Sequence, residues 1–210
     1  MIRSRAAFTL IELLVVIAII GVLMGILVPT LGMVMERGKE SSCQNEIKQI
    51  ETALASYESV YRDYPPSRLS EIGIRGDGIN EGVEALLACL TTQDPNPFWE
   101  VHEDKIGNSD GDKAPKPLSV YTKSILSAPD LYEMNDPWGN PYVYIHGKDI
   151  QTGYHMNYQV DGSVVDVVPV AQGDKPGVVP GLGKYQIWSF GSNRVNDQGK
   201  EDDIVSWRSK

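Results

Sequence analysis

The chain contains 210 residues and has a mass of 23.2 kDa, which allows one ordinary domain with an extra segment or one enlarged domain. Its 19 Lys and Arg residues against 28 Asp and Glu residues give a net charge of −9. This acidity argues against a general nucleic-acid binder, because phosphate neutralisation requires clustered basic residues. The mean hydropathy of −0.23 excludes a polytopic membrane protein. Two cysteines cannot form a disulfide scaffold or a four-cysteine zinc site.

The N-terminus carries a long apolar segment. From Phe8 to Met35 the sequence contains one charged residue, Glu12, and the uncharged stretch that follows it spans roughly 35 Å as a helix. That length is enough to cross the hydrocarbon core of a bilayer. Arg3 and Arg5 precede the segment with no acidic residue beside them. By the positive-inside rule, we expect the N-terminus in the cytoplasm and the rest of the chain outside.

Two ordinary interpretations leave part of this segment unexplained. A cleaved secretory signal has a shorter apolar core followed by a small-residue cleavage site, and residues 29–32 offer no such site. A plain membrane anchor explains the length and the flanking arginines but not Glu12. A carboxylate in hydrocarbon is unfavourable, and it usually has a partner and a function.

The order of residues around Glu12 is more specific than their hydropathy. A short basic leader and a small residue precede Phe, Thr, Leu, Ile and Glu, and this order resembles the type IV pilin-like leader. The resemblance implies that a prepilin peptidase cuts between Ala7 and Phe8 and methylates the new amine. It also implies that Glu12 meets the N-terminal amine of a neighbouring subunit in a filament, and that Pro29 matches the family's proline in the membrane helix. Ala7 departs from the family pattern, which has glycine before the Phe.

The helix is predicted to continue beyond the apolar segment. Apolar residues recur at alternating steps of four and three, which is typical of a helix with one face packed on a domain. These residues are Cys43, Ile47, Ile50, Leu54, Tyr57 and Tyr61. The prolines within residues 63–66 end the pattern, so one helix is predicted from about Thr9 to Arg62.

The remaining chain predicts an α+β head. Residues 80–90 predict a short second helix capped by Asn80, and residues 91–117 are rich in turn-forming residues. β-branched and aromatic residues then predict strands at 142–145, 154–160, 164–168 and 185–189. We expect a pilin-like fold, in which the long N-terminal transmembrane and spine helix packs on a small antiparallel β-sheet head.

One stretch of the loop has the alternating oxygen-bearing side chains of a calcium-binding loop. It runs from Asn108 through Asp110 to Asp112. Lys113 stands where such loops have glycine, and Ser119 where they have the closing glutamate. We therefore interpret it as a solvated turn.

The middle and the end of the head carry a second, more specific resemblance. Residues 136–144 read D-P-W-G-N-P-Y-V-Y, an N-E-G-V-E-A-L stretch starts at Asn80, and S-F-G-S-N followed by D-D-I-V-S-W starts at Ser189. Together these stretches are similar to the major (G-type) pseudopilin of the type II secretion system.

This resemblance implies a domain organisation. A leader occupies residues 1–7, a transmembrane and filament-core helix residues 8–35, and a periplasmic head residues 36–210. Compared with the family, the head carries two long insertions, near residues 91–130 and 147–183.

The closing loop of that family binds calcium, which implies a metal site here. By position, the ligands are the backbone carbonyl of Phe190 and the side chains of Asn193, Asp202 and Asp203. Asn193 stands where the family has aspartate. Either Asp197 or Glu201 supplies the lost carboxylate, or Arg194 partly replaces the metal by pairing with an acid. The alternative is an acidic, solvated loop held in place by the docking of Trp207.

The two cysteines, Cys43 and Cys89, would both lie outside the cytoplasm, where disulfides persist. A disulfide between them is one prediction, and two buried free thiols are the other. The three histidines lack metal-ligand spacing, and the sequence contains no nucleotide-binding or hydrolase motif. An enzyme is therefore not predicted.

The resemblance predicts a structural subunit of a short periplasmic pseudopilus, anchored in the inner membrane, that supports protein export across the outer membrane. Its expected partners are copies of itself, minor pseudopilins, the inner-membrane assembly platform, the prepilin peptidase and the secreted exoproteins, and no nucleic acid is expected. Two alternatives share the N-terminus. One is a type IV pilin or DNA-uptake filament subunit, which the acidic head disfavours, and the other is a membrane-tethered domain that never polymerises.

Overall fold

The computed structural model of the protein describes residues 9–91, 97–114, 130–173 and 175–208. The chain divides into two compact units, Met1–Lys39 and Glu40–Lys210. The first unit contains the beginning of a long helix. The second contains the rest of that helix and every strand within the described ranges.

The long helix, α1 (Leu10–Tyr61), spans 52 residues and belongs to both units. It confirms the helix predicted from about Thr9 to Arg62. It continues through position 29, although proline lacks the amide hydrogen that would bond to the preceding turn. It ends at Tyr61, and the next residue, Arg62, takes a positive φ of 61°.

In the first unit, α1 exposes its apolar side chains. Between Leu10 and Met35 the large apolar residues are 45–87% exposed. By length and composition this helix is able to cross a membrane. The structure therefore agrees with the apolar segment that the sequence predicts.

In the second unit, one face of α1 enters the hydrophobic core. Four residues of the predicted stripe are at most 3% exposed: Cys43, Ile47, Ile50 and Leu54. Tyr57 is partly buried against the same core, and its ring centroid lies 4.5 Å from that of Tyr61. Tyr61, the last residue of the stripe, is 46% exposed. The stripe is thus confirmed, and it weakens at the end of the helix.

The strands form three small antiparallel sheets. The central sheet has the order β3-β6-β7, in which β3 is Val143–His146, β6 is Tyr185–Ser189 and β7 is Ile204–Val205. Val143 pairs with Trp188, and Trp188 pairs in turn with Val205. This register places the bulky Trp188, which is fully buried, at the middle of the sheet.

Two antiparallel strand pairs complete the named strands. β1 (Ile106–Gly107) pairs with β2 (Glu133–Met134), and β4 (Met156–Val160) pairs with β5 (Ser163–Val167). The four predicted strands correspond to β3, β4, β5 and β6, with ends that differ by at most two residues. The single predicted sheet is divided into three, because among the named strands β1 and β2 pair only with each other, and so do β4 and β5.

Two further α-helices pack in the second unit: α2 (Glu81–Thr91) and α3 (Gly147–Thr152). A 3₁₀ turn, Leu69–Ile72, precedes α2 and another, Glu103–Lys105, precedes β1. Gly82 allows α2 to approach the strands closely, since a Cβ there would lie 2.3 Å from the carbonyl of Tyr144 and from the hydroxyl of Tyr158. The result is the expected α+β, pilin-like arrangement of a long apolar helix and small antiparallel sheets.

Asn80 directly precedes α2, at the predicted cap position, but its side chain bonds to groups outside the first turn of the helix. Its backbone carbonyl accepts the N–H groups of Val83 and Glu84. Its side-chain oxygen accepts the N–H of Gln159 over 2.9 Å instead. The side chain is therefore available for a different role, described below.

Candidate functional site

At the N-terminal end of α1, Thr9 and Glu12 bond to each other. The N–H and the hydroxyl of Thr9 donate to Oε2 of Glu12 over 2.9 and 2.7 Å, and the N–H of Glu12 donates to the Thr9 hydroxyl over 3.3 Å. This reciprocal pattern is a capping box, which the T-x-x-E spacing could have predicted. Ala7 and Phe8, the predicted cleavage and methylation residues, lie outside the described residues.

Glu12 is the single charge on the exposed apolar part of α1. Pro29, the other residue predicted to serve assembly, is a helical residue about 26 Å further along the same helix. The structure therefore does not bring these two residues together. A carboxylate on a surface that enters lipid requires a cationic partner, and the described chain supplies Glu12 with hydrogen-bond donors from Thr9 rather than a cation.

The D-P-W-G turn is organised by Asp136. Its Oδ1 accepts the N–H groups of Trp138 and Asn140, each over 2.9 Å, and its Oδ2 accepts the hydroxyl of Ser189 over 2.5 Å. Burial raises the pKa of Asp136, although these hydrogen bonds oppose the rise. Gly139 takes a positive φ of 88°, as turn chemistry predicts. The turn is thereby fastened to the end of β6, where the terminal loop begins.

Three of the predicted metal ligands form one network in the terminal loop. Oδ2 of Asp202 accepts the hydroxyl of Ser192 and the N–H of Asn193, both over 2.8 Å. The side-chain amide of Asn193 donates to Asp197 over 2.8 Å. Asn193, Asp197 and Asp202 are therefore neighbours, as the predicted site requires.

Asp203 is the buried acid of this loop and is 3% exposed. Its Oδ2 accepts the N–H of Gly199 over 2.7 Å, whereas Oδ1 has no hydrogen-bond partner in the described part of the chain. Burial raises the pKa of Asp203 to about 7, and the charges of Asp197 and Asp202 add to the effect. A buried oxygen without a partner, beside other acids, fits a hard cation such as calcium. Phe190, whose backbone carbonyl was predicted to be a metal ligand, is fully buried.

Arg194 pairs with an acid outside the loop. Its Nη1 donates to Asp161 over 2.8 Å and its Nη2 to the carbonyl of Trp138 over 3.3 Å. It therefore does not neutralise the acids of the terminal loop. Glu201 is exposed. The docking of Trp207 is present, since its ring centroid lies 5.9 Å from that of Trp188.

Cys43 and Cys89 are both free and buried, so the predicted disulfide is wrong and the alternative of two free thiols is confirmed. The Tyr142 hydroxyl donates to Sγ of Cys43 over 3.4 Å, whereas Cys89 is hydrogen-bonded to Tyr57. Tyr57 lies about 21 Å along α1 from Cys43. A disulfide requires Cα atoms within roughly 7 Å, so the packing of α2 keeps the thiols apart.

Sequence analysis missed a cluster that we call the acid pocket, defined by Glu84, Asp110, Asp112 and Glu133. Carboxylate oxygens of Glu84, Asp110 and Glu133 lie within 4.8 Å of one another. Both carboxylate oxygens of Asp112 are buried. The interpretation of residues 108–112 as a solvated turn is confirmed for the exposed Ser109 and Gly111 but wrong for the carboxylate of Asp112. Their alternating oxygen-bearing side chains were the available signal, but Glu84 and Glu133 join them only through tertiary packing.

Similarity to known proteins extends from the N-terminus into the head. The family of the prokaryotic N-terminal methylation motif matches residues 2–28. The type II secretion system core protein G of Pseudomonas aeruginosa is 30% identical over 143 residues, which cover 68% of this chain and 75% of that protein. The protein of the same name from Vibrio cholerae is 26% identical over 147 residues, covering 70% and 75%.

The core protein G of Aeromonas hydrophila is 24% identical over 212 residues, which cover 99% of this chain and 96% of that protein. No solved structure matches the chain. The matched length includes both the N-terminal helix and the head, so the similarity is not confined to the leader that pilin-like families share. The chain belongs to the family of the type II secretion system core protein G.

Proposed function

We propose that this protein is a pseudopilin, a structural subunit that polymerises through α1 into the pseudopilus of the type II secretion system and so supports protein export across the outer membrane. The methylation motif at residues 2–28 and the similarity to core proteins G support the proposal. Its role in secretion is mechanical and architectural rather than catalytic.

The observation that carries the proposal is the change of environment along α1. Its large apolar side chains from Leu10 to Met35 are 45–87% exposed, whereas those from Cys43 to Leu54 are buried in the head. An apolar helical surface of this length is stable only in lipid or against other apolar helices. A subunit that leaves a bilayer to enter a filament core requires such a surface.

Glu12 gives this surface a means of recognising a neighbour. An N-terminal amine of another subunit would place a positive charge beside the carboxylate. Two opposite charges that are buried as a pair cost far less than either charge buried alone. The capping box with Thr9 holds the carboxylate in place for that contact.

The orientation follows from Arg3 and Arg5, which favour a cytoplasmic N-terminus and a periplasmic head. In this orientation the prepilin peptidase meets the bond between Ala7 and Phe8 at the membrane. Copies of the same chain, minor pseudopilins and the assembly platform are the partners in the filament, and exoproteins are the cargo.

The proposal is tested by changing the charge of Glu12 in cells that lack their own copy of the gene. The wild-type chain is expected to restore exoprotein release and to give cross-linked oligomers, and Glu12→Gln is expected to abolish both. Glutamine also forms a capping box, so α1 keeps its start while the charge is lost. Exoprotein in the medium and oligomers on a gel are the measurements.

Glu36→Gln is the matched control, because it makes the same change beyond the apolar part of α1. This variant is expected to behave as the wild-type chain does. Full secretion and normal oligomers from Glu12→Gln would contradict the proposal and favour a membrane-tethered domain that never polymerises.

We also propose that the terminal loop binds calcium. The ligands are the carbonyl of Phe190 and the side chains of Asn193, Asp197, Asp202 and Asp203. Support comes from the buried, unpartnered Oδ1 of Asp203, counted within the described ranges, and from the acids that surround it. Bound calcium would neutralise these acids and stabilise the loop in its folded conformation.

A further inference from the structure

The acid pocket lies in a different part of the head from the terminal loop and shares no residue with it. Glu84 comes from α2, Asp110 from the turn that follows β1, and Glu133 from β2. Their carboxylate oxygens approach within 4.8 Å of one another. Like charges at this separation repel strongly where little water screens them. As free carboxylates the group would oppose the fold that brings it together.

The side chain of Glu84 gives evidence for a bound ligand that the clustering of acids alone would not give. Its side chain is buried, with the residue only 2% exposed, and neither carboxylate oxygen has a hydrogen-bond partner within the described ranges. One of these oxygens belongs to the group of three within 4.8 Å, so the unsatisfied side chain is directed into the acid pocket. Buried polar atoms in folded proteins nearly always have a partner.

Asp112 is a second acid with unsatisfied carboxylate oxygens. Both of its carboxylate oxygens are buried and lack a hydrogen-bond partner among the residues described. Two acids of the acid pocket therefore have oxygens available for the same missing partner.

Neutral donors hold the other two acids in position. Nδ2 of Asn80 donates to Asp110 over 2.9 Å and to Glu133 over 2.7 Å. The N–H and the hydroxyl of Ser109 donate to Oε1 of Glu133 over 3.0 and 2.7 Å. These contacts orient the carboxylates but supply no positive charge, so the described residues preorganise the acid pocket without neutralising it.

The basic residue nearest in sequence does not neutralise the acid pocket. Nζ of Lys113 pairs with Asp130 over 3.3 Å. Counting only the described part of the chain, the acid pocket therefore lacks a compensating positive charge.

We propose that the acid pocket binds a divalent cation, calcium, with Glu84, Asp110 and Glu133 as carboxylate ligands and Asp112 beside them. All of the available donors are oxygen atoms, which hard cations prefer, and no cysteine or histidine belongs to the group. Calcium suits a site in which the protein supplies several carboxylates, whereas magnesium retains most of its water.

A cation in the acid pocket would join three elements that the sequence separates. It would tie α2 to β2 and to the turn after β1, which belongs to the insertion predicted near residues 91–130. A ligand that binds only the folded state stabilises it, so calcium would fasten this insertion to the head.

The test uses the full-length protein in detergent micelles, stripped of metal with a chelator and titrated with calcium chloride by calorimetry. The wild-type protein is expected to bind one more calcium ion than Glu84→Gln, which keeps the size of the side chain and removes its charge. The melting temperature of the wild-type protein is expected to rise by about 5–10 °C at calcium one hundredfold above Kd, and less in the variant.

Glu81→Gln is the matched control on the first turn of the same helix, and it is expected to keep the wild-type stoichiometry. Asp203→Asn changes the terminal loop alone, so it reports the other calcium proposal separately. Equal stoichiometry and affinity in the wild-type protein and Glu84→Gln would overturn the inference, and so would a wild-type protein that binds no calcium in the acid pocket.

Asp110→Asn provides a second variant if Glu84→Gln does not fold, because Asp110 is less buried than Glu84. The same loss of one calcium ion is expected. Calcium binding that Asp110→Asn leaves unchanged would overturn the inference.

Discussion

Asp136 joins two parts of the head that lie far apart in the sequence. It accepts two N–H groups of its own turn and the hydroxyl of Ser189 at the end of β6. The Ser189 hydroxyl in turn accepts the N–H of Gly191, over 3.0 Å, at the start of the terminal loop. Because this acceptor is buried, its removal would leave several donors unsatisfied at once.

Replacement of this acceptor is therefore expected to be costly. Asp136→Ala should lower the free energy of unfolding by about 2–4 kcal/mol, since buried donors lose a charged acceptor. Urea denaturation followed by tryptophan fluorescence measures the change. Asp166→Ala is the control, because Asp166 is 58% exposed and pairs with His155 at the surface, where the loss should stay below about 1 kcal/mol. Equal losses in the two variants would contradict this role of Asp136.

At the scale of elements, the terminal loop connects β6 to β7. Trp207, just after β7, packs against Trp188 of the core. Gly199 lies against the ring of Trp207, since a Cβ there would come within 2.6 Å of it. The loop thus places Asp203 in a buried position near the acids Asp197 and Asp202. The calcium proposal predicts that removal of the ion loosens the terminal loop.

We expect Asp203→Asn to bind one calcium ion fewer than the wild-type protein and to lose part of the rise in melting temperature that calcium produces. The substitution keeps the size of the side chain and removes a charged ligand. Calorimetry and thermal unfolding, with calcium or with chelator, provide the two measurements. Glu201→Gln changes an exposed acid of the same loop and should retain full binding. A wild-type response from Asp203→Asn would exclude calcium from the terminal loop.

The elements with local signals were predictable from the sequence. The steps of three and four between apolar residues of α1 indicate which helix face meets the core. In β4, alternate residues are buried, as the period of a strand predicts. The D-P-W-G turn was predictable because Asp136 and Gly139 act within a few residues. Each of these features depends on neighbours in the chain, which the sequence shows directly.

The acid pocket and the cysteines were not predictable in the same way. Glu84 lies in a helix, Asp110 in a turn and Glu133 in a short strand, and nothing local to any of them indicates the other two. Likewise, the spacing of Cys43 and Cys89 contains no information on how far apart α2 holds them. These features depend on tertiary packing, which periodicity and turn chemistry do not report.

At the scale of the whole molecule, the two units require different surroundings. The first exposes the apolar side chains of α1, while the second buries its own apolar residues in a common core. The acidic composition belongs mainly to the head, because residues 1–7 contain two arginines and no acid. The N-terminus is therefore the part of the chain that decides whether the head is a filament subunit or only a tethered domain.

The most direct test of this account is the mass of the N-terminal peptide of the protein, purified from cells that carry its own prepilin peptidase. We expect a peptide that begins at N-methylated Phe8, with Ala7 accepted in place of the family's glycine. Ala7→Gly serves as the positive control for processing. A wild-type peptide that still begins at Met1, while Ala7→Gly is cleaved, would contradict the assignment of this chain as an assembling pseudopilin.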